Sequence, residues 1–139
     1  MSQQEKFIKK QIDTGCIWWP FNKKDQTNIR VLITRHWPRG KTWKELGIHL
    51  YMPELAPSRA LLQQYKKRDG TQMSWNHFLT LFVAELGNLS NKKARRAFRL
   101  LDRLSQQFYI ELLCYEEDGE PCHRYTVRDI LVNDTWWQN

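Results

Sequence analysis

The last third of the chain places a thiol, an imidazole and a guanidinium on three consecutive residues. Cys122, His123 and Arg124 follow an apolar run that ends at Cys114, and they precede a stretch with helical periodicity. A cysteine at a helix N-terminus meets free backbone N–H groups and the positive end of the helix dipole, which lower a thiol pKa and attract anions. Cys122 is therefore a candidate nucleophile, and His123 is a candidate for nucleophile or proton transfer.

The same residues also have a purely structural interpretation. A buried cysteine that starts a helix, with a surface histidine and arginine beside it, needs no ligand. Anion binding by Arg124 and the helix N-terminus is the simpler functional role, and catalysis by Cys122 is the more demanding one. Glu116 belongs to the same region, because it lies two residues past Cys114 and alternate residues of an extended chain face the same way.

A second set of polar residues follows an earlier apolar run. Arg35 and Arg39 flank the rigid pair Trp37-Pro38. Guanidinium groups bind phosphate or carboxylate through two parallel hydrogen bonds, and an indole can stack on a base or a guanidinium. The alternative is that Trp37 belongs to the core and that the arginines pair with acidic residues such as Glu54.

The cysteine spacing argues against a metal site. Seven residues separate Cys114 from Cys122, unlike the tight pairs of structural zinc sites, and a fourth ligand would have to be Cys16 or a distant histidine. Neither Cys114 nor Cys122 has an arginine at the distance that a cysteine-phosphatase loop requires. The sequence therefore predicts no metal, and it indicates no cofactor.

Composition and charge restrict the function classes. The 139 residues fit one domain, and the net charge of +7 favours anionic partners, either a small anionic molecule or nucleic acid. A solubility charge without a specific partner is the alternative. One predicted helix carries a basic stripe opposite its apolar face; this stripe suits phosphate contacts, but a plain solvated surface is the favoured interpretation. The stripe consists of Lys92, Arg96, Arg99 and Arg103.

The chain has no signature of a membrane or secreted protein. No apolar run approaches the roughly 20 residues of a spanning helix, and the N-terminus lacks a continuous apolar segment. Three cysteines without framework spacing indicate free thiols in a reducing compartment. We therefore expect a cytoplasmic protein with no membrane partner, and the sequence does not indicate an oligomeric state.

The periodicity predicts an α/β fold. Residues 28–34 and 108–114 are rich in branched apolar side chains and are predicted strands. Long connections between them predict a single compact domain over 1–139, with a small, mostly parallel sheet flanked by helices. If both strands are parallel, the two polar sets lie at the same edge of the sheet. The predicted helices cover about 57–67, 74–86, 90–104 and 121–132, and a short basic helix over 3–13 makes residues 1–15 an N-terminal helical extension.

Several sequence blocks recur in the order of a known family. They are Arg30-Val-Leu-Ile-Thr-Arg-His-Trp-Pro-Arg-Gly40, Leu55-Ala-Pro-Ser58, Ala84-Glu-Leu86, Leu112-Leu-Cys-Tyr-Glu116 and Cys122-His-Arg124. Over about residues 16–132 the chain resembles the domain-of-unknown-function 488 family, and within it the YeaO-like group. The resemblance implies a compact cytosolic α/β domain but no particular activity. It also implies a recurring polar set: Arg35, Trp37, Arg39, Ser58, Cys114, Glu116, Cys122, His123 and Arg124.

The chain departs from the family pattern in ways that bear on chemistry. A histidine often found after the helix that follows Ser58 is not matched, and Lys66 or Lys67 stands near its place. We expect an α/β protein that binds an anion, either phosphate or a nucleotide-like molecule, and whether it is an enzyme stays open. The alternatives are a non-catalytic nucleic-acid-binding module and a protein-interaction domain whose polar cluster only supports the fold.

Overall fold

The computed structural model describes residues 11–18, 28–67, 73–116 and 121–137. Its centre is a four-stranded, all-parallel sheet with the strand order β1-β4-β2-β3, which confirms the predicted α/β class. Both strands predicted from the sequence are present. The strands are β1 (Ile12–Cys16), β2 (Asn28–Leu32), β3 (Leu50–Tyr51) and β4 (Tyr109–Cys114).

The register of the sheet decides where the predicted polar sets meet. β4 is hydrogen-bonded between β1 and β2, with Cys16 opposite Cys114 and Leu32 opposite Leu113. Parallel strands end at the same edge of a sheet. The segments that follow β2 and β4 therefore leave the sheet side by side, as the sequence predicts.

The described residues include five α-helices, of which four lie between strands and the last follows β4. Serine and asparagine side chains cap three of them, with Ser58 accepting from the N–H of Leu61, Ser74 from His77 and Asn91 from Ala94. Such caps satisfy backbone donors that have no partner within the helix. Within the described ranges no helix is long and apolar enough to cross a membrane. The helices are α1 (Trp43–Leu46), α2 (Arg59–Tyr65), α3 (Trp75–Gly87), α4 (Lys92–Leu104) and α5 (His123–Val132), and 3-10 turns cover Pro53–Leu55 and Thr135–Trp137.

The two faces of the sheet are covered unequally. One face carries the main core, in which α2 to α5 bury residues such as Phe82, Phe98 and Val127 against Val31 and Leu112. A smaller cluster around Leu32 and Leu113, with Leu46 of α1, covers the other face. Because side chains alternate along a strand, Cys114 lies on the same face as Leu112 and belongs to the main core.

The predicted N-terminal helix is wrong at its C-terminal end. Ile12 and Asp13 belong to β1, where Ile12 is paired with Ile110 and only 3% exposed. The sequence pattern around Ile12 suits a helical face, but pairing with the central strand β4 buries the same side chain in a sheet. The rest of that prediction, residues 3–10, lies outside the described residues.

An ion pair joins β2 and β4 on the less covered face. Arg30 and Glu111 are register partners, and a guanidinium nitrogen of Arg30 lies 2.6 Å from a carboxylate oxygen of Glu111. A second nitrogen of Arg30 donates to the carbonyl of Leu46 at 3.2 Å. Burial lowers the pKa of Arg30 and raises the pKa of Glu111, and each charge partly offsets the effect on the other. The pair ties the two central strands to α1.

Candidate functional site

A cavity of about 140 Å³ opens at the carboxyl edge of the sheet. The ends of β2 and β4, the start of α5, and helices α2 and α3 form its walls. One wall is aromatic, and the others carry polar and ionisable groups. The aromatic wall consists of Tyr65, Trp75, Phe78 and Tyr115, and the other ionisable residues of the lining are Arg35, His36, Lys66, Glu116, Cys122 and His123.

Cys122 is the N-cap of α5. The sequence pattern predicts that Pro121 begins this helix, but the helix begins at His123 and Cys122 precedes it in an extended conformation, with φ −153° and ψ 144°. Its sulfur accepts the backbone N–H of Arg124 at 3.5 Å. Cys122 is only 3% exposed, so the cavity is the route by which a small molecule reaches its sulfur.

Cys114 lies directly beside Cys122. Their sulfur atoms are within 4.8 Å of each other, and the thiol of Cys114 donates to the sulfur of Cys122. The pKa of Cys122 is lowered to about 4: this hydrogen bond lowers it most, burial opposes the lowering, and His123 and the backbone N–H of Arg124 add to it. Burial raises the pKa of Cys114 well above its usual value. One thiolate and one thiol therefore share the site, with the charge on Cys122.

The imidazole ring of His123 lies beside both sulfurs. Its Nε2 lies 2.6 Å from the carbonyl oxygen of Ile33, and since a carbonyl only accepts, Nε2 carries a hydrogen. Its Nδ1 lies 3.9 Å from the sulfur of Cys122 and 3.9 Å from that of Cys114, while Nε2 is closer to the Cys114 sulfur, at 3.5 Å. Phe82 meets the ring edge-on at 5.6 Å between ring centres. Nδ1 is thus the imidazole atom positioned to exchange a proton with a thiol.

Arg124 lies beneath the cavity, although the sequence interpretation gives it a direct contact with the ligand. The residue is completely buried; its guanidinium donates to the carbonyl of Glu116 at 2.5 Å and to the hydroxyl of Tyr125 at 2.9 Å. The first turn of α5 faces the core, and this orientation turns the side chain inward. Burial opposes the charged form, but the negative charge of Cys122 raises the pKa of Arg124. The buried positive charge of Arg124 therefore stabilises the negative charge of the Cys122 thiolate.

Glu116 is an ionisable group on the cavity wall. Burial raises its pKa, and the neighbouring charge of Cys122 raises it further. A carboxyl with a raised pKa keeps its proton closer to neutral pH and can donate it.

Arg35 lines the cavity, but part of its guanidinium is used by the fold. Its Nε donates to the carbonyl of Pro57 at 3.0 Å and its Nη2 to the carbonyl of Ala56 at 2.9 Å. These bonds tie the end of β2 to the segment before α2. Among the described residues, Nη1 of Arg35 has no hydrogen-bond partner, and it is the donor that a ligand can use.

Trp37 and Arg39 lie away from the cavity, although the sequence interpretation groups them with Arg35. The indole of Trp37 donates to the carbonyl of Lys41 at 2.7 Å and stacks on Trp43 at 4.8 Å between ring centres. Arg39 is exposed and is not among the lining residues. The turn at residues 38–41 directs both side chains towards the less covered face of the sheet or towards solvent. Trp37 is therefore partly buried against the smaller cluster, nearer to the structural alternative of the sequence analysis than to a ligand contact.

Ser58 has a structural task in this arrangement. Its hydroxyl donates to Glu85 at 2.5 Å and accepts the N–H of Leu61 at 3.1 Å, and its own N–H donates to Glu85 at 3.0 Å. The serine thus caps α2 and fixes it to α3. It borders a separate open groove of about 790 Å³ rather than the cavity of Cys122.

The fold brings together three residues able to bind a metal, which the sequence spacing does not group. The nearest donor atoms of Cys114, Cys122 and His123 all lie within 4.8 Å of one another. Sulfur and imidazole donors are those that zinc uses. However, binding a divalent ion to two thiolates would leave the buried guanidinium of Arg124 without its counter-charge. With a single thiolate beside Arg124, the negative charge of the sulfur offsets the positive charge of the guanidinium.

The sequence analysis does not predict the aromatic wall, and it does not place Lys66 in the site. Tyr65, Trp75 and Phe78 contact one another with ring centres 4.7 to 5.5 Å apart. Phe78 has the helical spacing of a core residue, and it is indeed buried while also lining the cavity. The only available signal was the position of Lys66 near the missing family histidine. That lysine does reach the cavity.

Comparison with models of known protein families identifies the family of this chain. The model of the DUF488-N3a family, described as the active DUF488-N3 subclade, matches residues 16–135. The chain belongs to the DUF488 family. All lining residues of the cavity fall inside the DUF488 match. No curated protein and no solved structure matches the chain.

Proposed function

We propose that the protein is an enzyme in which the thiolate of Cys122 attacks a small anionic substrate bound in the cavity. The observation that carries this proposal is the placement of the Cys122 sulfur. It is a helix N-cap at the wall of a cavity, with its negative charge stabilised by Cys114, by His123 and by the buried Arg124. A thiolate is the reactive form of cysteine, and such a site keeps it in that form at neutral pH.

The size and lining of the cavity support a compact substrate group. Its volume of about 140 Å³ is below the roughly 300–1,000 Å³ of pockets that enclose drug-sized ligands. Arg35 and Lys66 supply positive charge, while Tyr65 and Trp75 supply flat apolar surface. This combination suits a phosphate-bearing or nucleotide-like group whose remainder extends out of the opening.

The proposed reaction is group transfer through a covalent intermediate. The sulfur of Cys122 forms a bond to the electrophilic atom of the substrate, and the bond to the leaving group breaks with its electron pair. Glu116, whose pKa is raised, donates a proton to the leaving group. Water then attacks the intermediate, returns a proton to Glu116 and releases the Cys122 thiolate.

Protection from alkylation tests the binding step directly. Iodoacetamide should modify Cys122 rapidly, and inorganic phosphate or adenosine monophosphate should slow that modification by occupying the cavity. Cys16 offers a matched control, because it is buried but does not line the cavity. In Cys16→Ala, iodoacetamide should still modify Cys122 and the anions should still slow that modification. In Cys122→Ser, the modification should be absent. Rapid modification that neither anion slows would contradict anion binding at this site.

Turnover tests the catalytic step. A panel of phosphorylated metabolites and nucleotides should contain a substrate that the wild-type protein and Cys16→Ala both convert. Cys122→Ser should lose this activity by at least about a hundredfold, because the hydroxyl is a far weaker nucleophile without a dedicated base. Activity that survives in Cys122→Ser would refute the nucleophile assignment.

A second candidate function rests on a different surface. The groove of about 790 Å³ carries Arg35, Lys93 and Arg96, and α4 exposes further positive charge. A non-catalytic protein that binds nucleic-acid phosphates would use this surface. Under this alternative, Lys93→Ala/Arg96→Ala weakens binding of a labelled single-stranded DNA and reduces its salt dependence, whereas Lys44→Ala does neither. No binding of the DNA at low salt would remove this candidate.

A further inference from the structure

The site contains a second thiol that the proposed group transfer does not consume. Cys114 ends β4 with no solvent exposure, and its sulfur lies within 4.8 Å of the sulfur of Cys122. Both cysteines are free thiols. They come from different elements, a strand end and a helix cap, and the fold alone brings them together. A buried pair of this kind beside an open cavity has the composition of a dithiol redox centre.

We propose that Cys122 is oxidised by a small hydroperoxide and that Cys114 resolves the product as an intramolecular Cys114–Cys122 disulfide. This inference rests on the proposed function in one respect, the use of Cys122 as the nucleophile that faces the cavity. It adds a substrate class, the hydroperoxide, and a role for Cys114 as the resolving thiol. Neither requires the protein to act on an anionic substrate.

The geometry permits the bond after a small movement. A disulfide places its sulfurs about 2.0 Å apart, so the present separation of at most 4.8 Å must close by no more than about 2.8 Å. Cys122 lies outside the hydrogen-bonded turns of α5, because it is the N-cap. Rotation of its side chain therefore closes the gap without breaking the helix. The hydrogen bond that the first turn of α5 loses is the one from the N–H of Arg124 to the Cys122 sulfur.

The chemistry proceeds in two balanced steps. First, the Cys122 thiolate attacks the terminal oxygen of the hydroperoxide, the O–O bond breaks, and the departing alkoxide takes a proton to become an alcohol. Cys122 is then a sulfenic acid. Second, Cys114 passes its proton towards Nδ1 of His123, 3.9 Å away, and attacks the sulfur of Cys122. Hydroxide leaves and takes a proton to become water.

The overall exchange oxidises two thiols and reduces one hydroperoxide. Its products are one disulfide, one alcohol and one water molecule. A dithiol reductant returns the pair to thiols by exchange at the sulfur that the cavity exposes. Formation of the disulfide removes the negative charge of Cys122 from beside the buried guanidinium of Arg124, so the site favours return of the pair to the reduced state.

Cys16 is the only rival for the role of resolving thiol, since the chain has three cysteines. It is the register partner of Cys114, and its sulfur donates to the carbonyl of Tyr115 at 3.4 Å. It does not line the cavity. Mapping of the oxidised pair therefore separates the two arrangements.

Peptide mapping after oxidation tests the inference. The whole protein, freed of metal with EDTA, is treated with one equivalent of hydrogen peroxide and alkylated under denaturing, non-reducing conditions. We expect one of the three cysteines to remain a free thiol that is alkylated, and we expect a disulfide to link the peptides that contain Cys114 and Cys122. Cys114→Ser should leave Cys122 as a sulfenic acid that dimedone traps, and Cys16→Ala should behave as the wild type. A bond that includes Cys16, or three thiols remaining, would overturn the inference.

The two proposals fail separately. If Cys122 is alkylated and phosphate protects it, but peroxide yields no Cys114–Cys122 bond, the disulfide is wrong and the proposed enzyme stands. If the bond forms but neither phosphate nor adenosine monophosphate protects Cys122, the anionic substrate is wrong and the dithiol stands. Circular dichroism of each variant confirms that the fold is intact before either conclusion is drawn.

Discussion

The chemical character of Cys122 comes from its immediate neighbours rather than from its position in the sequence. Cys114 donates to the sulfur, Nδ1 of His123 faces it, and the backbone N–H of Arg124 points at it. The buried guanidinium of Arg124 adds a positive charge from behind. Each of these neighbours favours the thiolate, whereas burial opposes it.

Removal of the Arg124 guanidinium should affect both stability and reactivity. Arg124→Ala leaves the thiolate without its counter-charge and the carbonyl of Glu116 without a donor. We expect the free energy of unfolding to fall by about 3 kcal/mol, as when one partner of a buried ion pair is removed. The pKa of Cys122 should rise. Urea denaturation measures the first effect, and the pH dependence of alkylation measures the second.

The conservative variant separates charge from shape. Arg124→Lys keeps the positive charge but cannot reach both Glu116 and Tyr125 with a planar fork. It should therefore lose stability while keeping the pKa of Cys122 low. If Arg124→Ala leaves the alkylation profile unchanged, the guanidinium does not stabilise the thiolate.

At the scale of elements, the parallel sheet produces the site. β2 and β4 are adjacent and end at the same edge, so Ile33 lies next to the start of α5 and its carbonyl fixes the ring of His123. α2 and α3 close the cavity with their aromatic side chains. Any change that loosens the pairing of β2 with β4 should therefore also disturb the site.

The ion pair between the central strands provides a test of this dependence. Glu111→Gln leaves Arg30 buried without its counter-charge, and we expect a loss of about 3 kcal/mol in the free energy of unfolding. The double variant Arg30→Met/Glu111→Leu buries no charge and should recover most of that loss. Urea denaturation of the three proteins measures both effects. A single variant as stable as the wild type would show that the pair contributes nothing.

The sequence predicted the parts of the fold that depend on local pattern. Residues 28–34 and 108–114 are branched and apolar enough to indicate strands, and Ser74 marks the start of α3 by its capping chemistry. β1 escaped prediction because Ile12 suits a helical face as well as a strand, and only pairing with β4 distinguishes them. That pairing joins residues almost a hundred positions apart.

The sequence likewise predicted the parts of the candidate site that are close in sequence and missed those that depend on long-range packing. Cys114, Glu116 and Cys122 are close in sequence, and their shared turn indicates that they meet. The direction of Arg124 could not be predicted, because it depends on how α5 is rotated against the core. The contribution of Trp75 likewise depends on how α3 packs beside the end of β2. Side-chain direction and long-range packing are properties of the folded chain.

At the scale of the whole molecule, the net charge of +7 should assist the binding of anions. Long-range attraction of this kind weakens with ionic strength, since the screening length falls from about 14 Å at 0.05 M salt to about 4 Å at 0.5 M. The concentration of adenosine monophosphate that half-protects Cys122 should therefore rise several-fold over this range. Uncharged adenosine is the control and should show little salt dependence. Equal salt dependence for both compounds would mean that charge does not guide binding.

The pH dependence of Cys122 alkylation tests the central claim most directly. With a pKa of about 4 the residue is already a thiolate at neutral pH, so its rate with iodoacetamide should stay nearly constant from about pH 6 to about pH 9. An ordinary thiol would instead react about ten times faster for each pH unit until it approaches its pKa near 8.5. Mass spectrometry of the peptide that contains Cys122 gives the rate at each pH, with the fully denatured protein as the control. A constant rate in the folded protein supports the thiolate nucleophile. A rate that rises with pH as in the denatured protein would contradict it.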